Sequence, residues 1–175
     1  MLPEGFAARM RALLGSEYGD FLASFDRPLC TGLRKNPLKA GFTGDLSRFS
    51  LAPVPWCPTG FYYDVASRPG LSPYHAAGLY YLQEPSAMAP AELLDPQPGE
   101  RVLDLCAAPG GKSTQLAGKL LGKGLLVCNE INAKRAKILS GNMERLGISN
   151  ALVLNEHPKK LTERFAGYFL SLIHI

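Results

Sequence analysis

No stretch of this 175-residue sequence approaches the roughly 18 consecutive apolar residues that a membrane-spanning helix requires. Its start, MLPEGFAARM, lacks the charged opening and long apolar core of a secretory signal, so the cytoplasm is the expected compartment and no membrane partner is expected. Cysteine is scarce. The four present (Cys30, Cys57, Cys106 and Cys128) are widely spaced with no C-x-x-C pair, and the three histidines stand at no metal-ligand spacing from them. No metal is therefore expected, and the thiols read as reduced and mostly buried. Internal repeats and low-complexity tracts are missing too, which sets repeat architectures aside.

Acidic residues run short only in the second half. Residues 101–175 hold 11 basic side chains against 5 acidic ones, whereas residues 1–100 hold 8 against 10. A net charge of +4 permits contact with a polyanion without demanding it. A hydrophobic fraction of 46% fits a folded chain, long enough for one ordinary domain or for a small domain plus part of another.

Two short amphipathic helices are predicted at the start. Phe6, Met10 and Leu13 recur at helical spacing before Gly15, and Tyr18, Phe21, Leu22 and Phe25 do so again before Pro28. From Arg27 to Pro98 prolines and aromatics crowd together, and short strands and turns are expected. After the DPQPGE loop at Asp95 the pattern alternates. Strands are predicted at Arg101–Leu105, Leu125–Cys128 and Ala151–Leu154. Between them fall a helix over Gly111–Leu121, with Leu116, Ala117, Leu120 and Leu121 on one face, and a second helix capped by Asn132. The second helix carries a stripe of Ala136, Leu139, Met143 and Leu146 and closes at Gly147. Such alternation specifies parallel strands joined by right-handed crossovers, of which three are legible.

In an open parallel sheet the ligand sits beyond the carboxyl ends of the strands. The first strand-to-helix loop there reads Cys106-Ala107-Ala108-Pro109-Gly110-Gly111-Lys112. A triphosphate loop, G-x-x-x-x-G-K-[ST], matches at Gly111, Lys112 and Ser113 but needs a glycine where Cys106 stands. A dinucleotide loop, G-x-G-x-x-G, finds no match between Leu105 and Leu116. S-adenosylmethionine remains, helped by Glu130 at the end of the second strand, where a carboxylate accepts ribose hydroxyl bonds. Asp104 can orient the loop, meet the cofactor's methionine part, or simply brace the backbone.

The segment LDLCAAPGGKSTQLA (Leu103–Ala117) resembles the cofactor motif of the NOL1/NOP2/Sun RNA cytosine-5 methyltransferases, with the bacterial ribosomal RNA enzymes of the RsmF kind most similar. TGLRKNPLKA (Thr31–Ala40) is similar to that family's N-terminal LR-x-N signature. GLYYLQEPSAM (Gly78–Met88) and NEINAKRAKIL (Asn129–Leu139) extend the resemblance from Thr31 to Phe169. It implies an α/β fold in which an incomplete doubly wound, Rossmann-like methyltransferase sheet (residues 95–175) follows a small α+β N-terminal domain that helps hold ribosomal RNA (residues 1–94). It further implies that Cys106 to Lys112 line the cofactor, that Glu130 holds its ribose, that Arg135 supports the site, and that Asn155, Glu156 or His157 lies beside the adenine. Cys106 then serves as a loop-packing residue, not a nucleophile.

The family's nucleophilic cysteine lies in an Asp-Ala-Pro-Cys segment and a second cysteine in a Thr-Cys segment, and neither occurs in this sequence. The resemblance therefore implies a methyltransferase chain that stops before its catalytic cysteine and is itself inactive, with Leu170-Ser171-Leu172-Ile173-His174-Ile175 in place of the family's fourth strand. The alternative reading is an RNA-binding module without catalysis, with Arg34, Lys35 and Lys39 touching phosphates.

Overall fold

Helical spacing at the N-terminus produces the two helices it predicts, α1 (Glu4–Leu14) and α2 (Tyr18–Ser24), linked by a 3-10 turn at Gly15–Glu17. Their aromatic residues meet one another: Phe21 lies 6.2 Å from Phe6 and 5.1 Å, edge-on, from Phe25, measured between ring centroids. No residue of either helix is buried. This computed structural model describes residues 2–41 and 45–173. The chain forms two compact units, Met1–Cys30 and Thr31–Ile175, and the helical pair is the first.

The second unit contains two sheets. Strands β1 (Gly32–Lys35), β2 (Ala52–Val54), β3 (Cys57–Tyr62) and β4 (Tyr80–Leu82) form an antiparallel sheet in the order β2-β3-β1-β4. Leu33, Phe49 and Tyr80 fill its main core, and Val54, Cys57 and Met88 a smaller one. Two short helices follow the expected turn chemistry. Ser72 caps α3 (Pro73–Ala76) by accepting from the Tyr74 amide, and α4 (Ala89–Leu94) leads out of the sheet.

The parallel sheet comprises β5 (Arg101–Asp104), β6 (Leu125–Asn129), β7 (Ala151–Leu154) and β8 (Ser171–Ile173), in the order β7-β6-β5-β8. Helices α5 (Gly111–Leu120), α6 (Ala133–Leu146) and α7 (Pro158–Arg164) alternate with these strands. Asn132 caps α6 by accepting from the Lys134 and Arg135 amides. The predicted stripe of Ala136, Leu139, Met143 and Leu146 is buried, and Leu139 and Met143 of it join this sheet's core.

Four expectations need correction. The parallel sheet has four strands, not three: Ser171, Leu172 and Ile173 pair with Val102, Leu103 and Asp104. A short apolar segment suffices to extend a half-buried pleated edge, and no acidic start is needed for that. His174 and Ile175 lie outside the described residues. Leu121 does not join the buried face of α5, because the chain turns left-handed there and leaves its side chain exposed. The thiols are not mostly buried: Cys57 and Cys128 are, whereas Cys30 and Cys106 are exposed, and all four are free. The basic cluster of the N-terminal region is the fourth, taken up below with the site.

One glycine fixes how the two sheets meet. Gly78 has φ +72° and passes so close to the end of α6 that a Cβ there would lie 2.0 Å from the Arg145 carbonyl oxygen. Leu139 tests the core that this contact closes. Leu139→Ala should lower the unfolding free energy by about 2–5 kcal/mol, whereas Ile138→Ala, on the exposed face of the same helix, should change it by less than about 0.5 kcal/mol, both read from urea denaturation.

Candidate functional site

β5 ends on Asp104, which is only 2% exposed. Its carboxylate accepts from the Cys106 amide at 3.3 Å and from Ser113 Oγ at 2.6 Å, so it ties the start of the loop to the first turn of α5. Bracing is thus what Asp104 does, as its residue type allows. The Ala107 amide donates to the Asn129 carbonyl at 2.9 Å, anchoring the loop to the end of β6. Gly110, at φ +111°, turns the chain into α5 where a Cβ would come within 3.1 Å of Leu139. α5 has no side-chain cap at this end, so its first N–H groups and the positive end of its dipole face outward, as an anionic group requires.

Just past the neighbouring strand β6, Glu130 is 3% exposed. One carboxylate oxygen accepts from the Asn132 amide at 2.9 Å, and the other lies 3.2 Å from the Arg135 guanidinium. The same guanidinium donates to the Ala108 carbonyl at 2.6 Å. Arg135 therefore joins Glu130 to the glycine loop, and the structure brings together the residues that the sequence singled out at these two strand ends.

Of the three candidates after β7, Asn155 lies against this corner. Its amide donates to the Glu130 and Ile131 carbonyls at 2.7 and 2.9 Å. Glu156 turns to Lys160 at 2.9 Å, which holds its carboxyl below the usual range. His157 is an exposed, extended residue ahead of Pro158, and its ring accepts from the Lys159 amide to cap α7.

Cys106 does not pack within the loop, as the resemblance implied; it is exposed. Burial drives the Cys128 thiol far above its ordinary pKa and raises Cys57 as well, so neither is poised as a nucleophile. Among the described residues no group of three or more His, Cys, Asp or Glu gathers as metal ligands would, and no helix is long and apolar enough to cross a membrane.

The basic cluster at β1 divides. Arg34 cannot reach a phosphate: it is 2% exposed, with Nε donating to Gln83 Oε1 at 2.9 Å and a terminal nitrogen donating to Thr114 Oγ1 at 2.7 Å and the Gly111 carbonyl at 3.3 Å. Burial lowers its pKa to about 10, which still leaves it charged at neutral pH. Lys39 donates to the Ala77 carbonyl at 2.6 Å and the Arg145 carbonyl at 3.5 Å. Lys35 alone is exposed, its ammonium 4.4 Å from the Phe61 ring centroid. Both lysines line a cavity of about 970 Å³ that none of Cys106 to Lys112 lines.

Several residues that hold the site gave little sign of it in the sequence. Asn129, fully buried, donates to the Leu105 and Glu156 carbonyls and accepts from the Glu156 amide. A polar residue closing the apolar strand LLVCN was its signal. Asn142 donates to the Pro109 carbonyl at 2.8 Å and accepts from Arg145, which in turn donates to the His75 carbonyl at 2.6 Å. Gln83 reaches Gln115, and Gln115 donates to Glu92 at 2.8 Å behind α5. Burial disfavours the charged Glu92, but bonds from Lys119, Gln115 and Cys57 outweigh it and hold this carboxyl below its ordinary range.

Residues 2–85 match the family model for the N-terminal domain of 16S rRNA methyltransferase RsmF, and residues 91–173 that for 16S rRNA methyltransferase RsmB/F. Ribosomal RNA small subunit methyltransferase F of Klebsiella pneumoniae (strain 342) is 42% identical over 162 residues, covering 85% of this chain and 34% of that protein. The protein of the same name from Vibrio campbellii is 38% identical over 166 residues, covering 88% and 35%. The chain thus spans about a third of the length of these relatives. Among solved structures, a methyltransferase homologue from Pyrococcus horikoshii superposes with a TM-score of 0.75 at 29% identity, covering 93% of this chain and 55% of that one. NSun6 from Pyrococcus horikoshii with SFG gives 0.76 at 17% identity, covering 92% and 67%, which speaks for the fold alone.

The Glu92 network yields a test by acid. A carboxyl with a depressed folded pKa contributes stability that is present above its unfolded value and lost as pH falls through the folded one. The urea midpoint should therefore drop as pH falls below about 4.3, the ordinary glutamate value, and Glu92→Gln should flatten part of that drop.

Proposed function

Because the chain belongs to the RsmB/F family of 16S rRNA methyltransferases, we propose that its parallel sheet binds S-adenosylmethionine and that it serves methylation of ribosomal RNA at cytosine C5. One observation carries the cofactor reading. An uncapped helix start behind a left-handed glycine and a buried carboxylate stand at the ends of adjacent parallel strands, β5 and β6, with β8 on β5's other side. The residues fit the group. Within Cys106 to Lys112, the stretch Gly110 to Lys112 offers backbone N–H donors to the methionine carboxylate, and the oxygens of Glu130 retain lone pairs for two ribose hydroxyls beyond the bonds they already accept. Arg135 ties that carboxylate to the loop, and Asn155 fixes the corner where the adenine would lie.

When bound, this cofactor supplies an electrophilic methyl group. Cytosine C5 takes such a group only after a thiolate adds at C6, and a base must then remove the C5 proton. This chain's residues bind and orient, and none of its thiols is set for that addition. Cys57 and Cys128 are buried and raised in pKa, Cys106 belongs to the cofactor loop, and Cys30 ends the helical first unit, outside the unit that carries the loop. The 175-residue chain is therefore read as holding cofactor without completing the transfer. An rRNA substrate goes with a cytoplasmic site of action.

A second reading, an RNA-binding module, draws on the cavity beside β1 lined by Lys35 and Lys39. In it residues 1–94 hold ribosomal RNA and residues 95–175 hold only the cofactor.

Calorimetry should show the chain binding S-adenosylmethionine, with Glu130→Ala weakening it by about tenfold or more, as expected on losing bonds to a charged acceptor. A folded sample that binds none overturns the cofactor reading. In a radiolabelled-methyl assay the same chain should bind small-subunit rRNA with an affinity that falls as salt rises, yet incorporate no label. Turnover would overturn the assignment of its thiols.

A further inference from the structure

Three successive holds act on the carbonyls of the glycine loop. Arg135 donates to Ala108 O at 2.6 Å, Asn142 to Pro109 O at 2.8 Å and Arg34 to Gly111 O at 3.3 Å. The first two come from α6, within the cofactor sheet's own succession of elements. Arg34 comes from β1, in the other sheet. Each peptide unit is planar, with its C=O and N–H pointing opposite ways, so fixing Pro109 O sets the direction of the Gly110 N–H, and fixing Gly111 O sets that of the Lys112 N–H. Those are two of the donors that the proposed ligand would meet.

Arg34 is an expensive choice for packing alone. A buried guanidinium loses much hydration, and its hydrogen-bond acceptors here, Gln83 Oε1, Thr114 Oγ1 and Gly111 O, are all uncharged. What such a group offers over an apolar side chain is a rigid planar fork that fixes several acceptors relative to one another. The fork joins Gln83, just beyond β4, to the first turn of α5. Thr114 Oγ1 also contacts Gly111 O at 3.2 Å, so the contact takes in that whole turn.

We infer that Arg34 is a positioning residue for the cofactor loop: through Thr114 and Gly111 the antiparallel sheet sets the orientation of the α5 N-terminus, and with it the affinity for the cofactor. The inference rests on the cofactor reading above. It assigns the LR-x-N segment a role inside the molecule, at the loop, in place of the phosphate contact expected of Arg34.

The test uses the full chain. Arg34→Lys keeps a charge but loses the fork, and Thr114→Val removes the hydroxyl at nearly constant volume. Each should weaken S-adenosylmethionine binding by about tenfold in calorimetry well below the unfolding temperature, the loss of one charge-assisted bond. The double variant should be no weaker than the poorer single one, because both changes break the same contact. Amide exchange should quicken at position 114, whose N–H donates to the Gly110 carbonyl in the first turn of α5, and stay unchanged at Val127 and Leu139, a local pattern that mere loss of stability does not produce. Folded variants with the parent affinity and parent exchange overturn the inference, even if they unfold more readily. Should Arg34→Lys fail to fold, Thr114→Val alone decides. Should the parent chain bind no cofactor, the cofactor reading falls, and exchange at position 114 in the ligand-free variants still decides whether Arg34 holds the first turn of α5.

Discussion

A guanidinium shut away from water and shared among three neutral oxygens is the constraint on which the second unit turns. Arg34 meets Gln83, Thr114 and Gly111 at once, and so fixes β1, the end of β4 and the first turn of α5 in one place. The two sheets have other contacts. Asn36 donates to the Gly78 and Leu146 carbonyls, and Arg145 to that of His75. These are side-chain bonds to backbone oxygens, so polar geometry helps specify the seam. Removing one partner of such a bond leaves a buried group unsatisfied, and the cost exceeds the bond's own net worth.

The same economy governs the loop. An irregular segment at the end of a strand has backbone groups that no ladder satisfies, and here side chains from three elements take them up. Asp104 accepts from below, Asn129 ties Leu105 to the loop after β7, and Arg135 and Asn142 reach across from α6. The N–H groups at the head of α5 are left uncapped, facing outward. The proposed ligand site is outlined by where bonds are already made and where they are not.

Much of this was legible in the sequence, for local reasons. The α6 stripe and its Asn132 cap need only neighbours a few residues away, and β7 ran where its pattern put it, from Ala151 to Leu154. What stayed hidden was non-local. β1 pairs with β3 and β4, dozens of residues downstream, and a strand's alternation does not say which face a partner will cover, so Arg34 read as a surface cation. β8, only three residues long, carries too few positions for any period to show. Leu121 misled because its apolar character outweighed the left-handed turn that Gly122 announces. At the site itself, Glu130 and the glycines were evident from residue type and place, whereas Asn129, Asn142 and Gln83 act through single bonds that no spacing encodes.

The long reach of Arg34 also dictates an order of assembly. Its acceptors on α5 lie 77 and 80 residues further along the chain, and its partner Gln83 lies 49. Synthesis runs from the N-terminus, so all four strands of the antiparallel sheet have emerged before Gly111 does. Until then the guanidinium waits, hydrated, at a socket that only α5 completes. The loop's own holds emerge later still, so a nascent chain cannot fix the Ala108 and Pro109 carbonyls until Arg135 and Asn142 have been made.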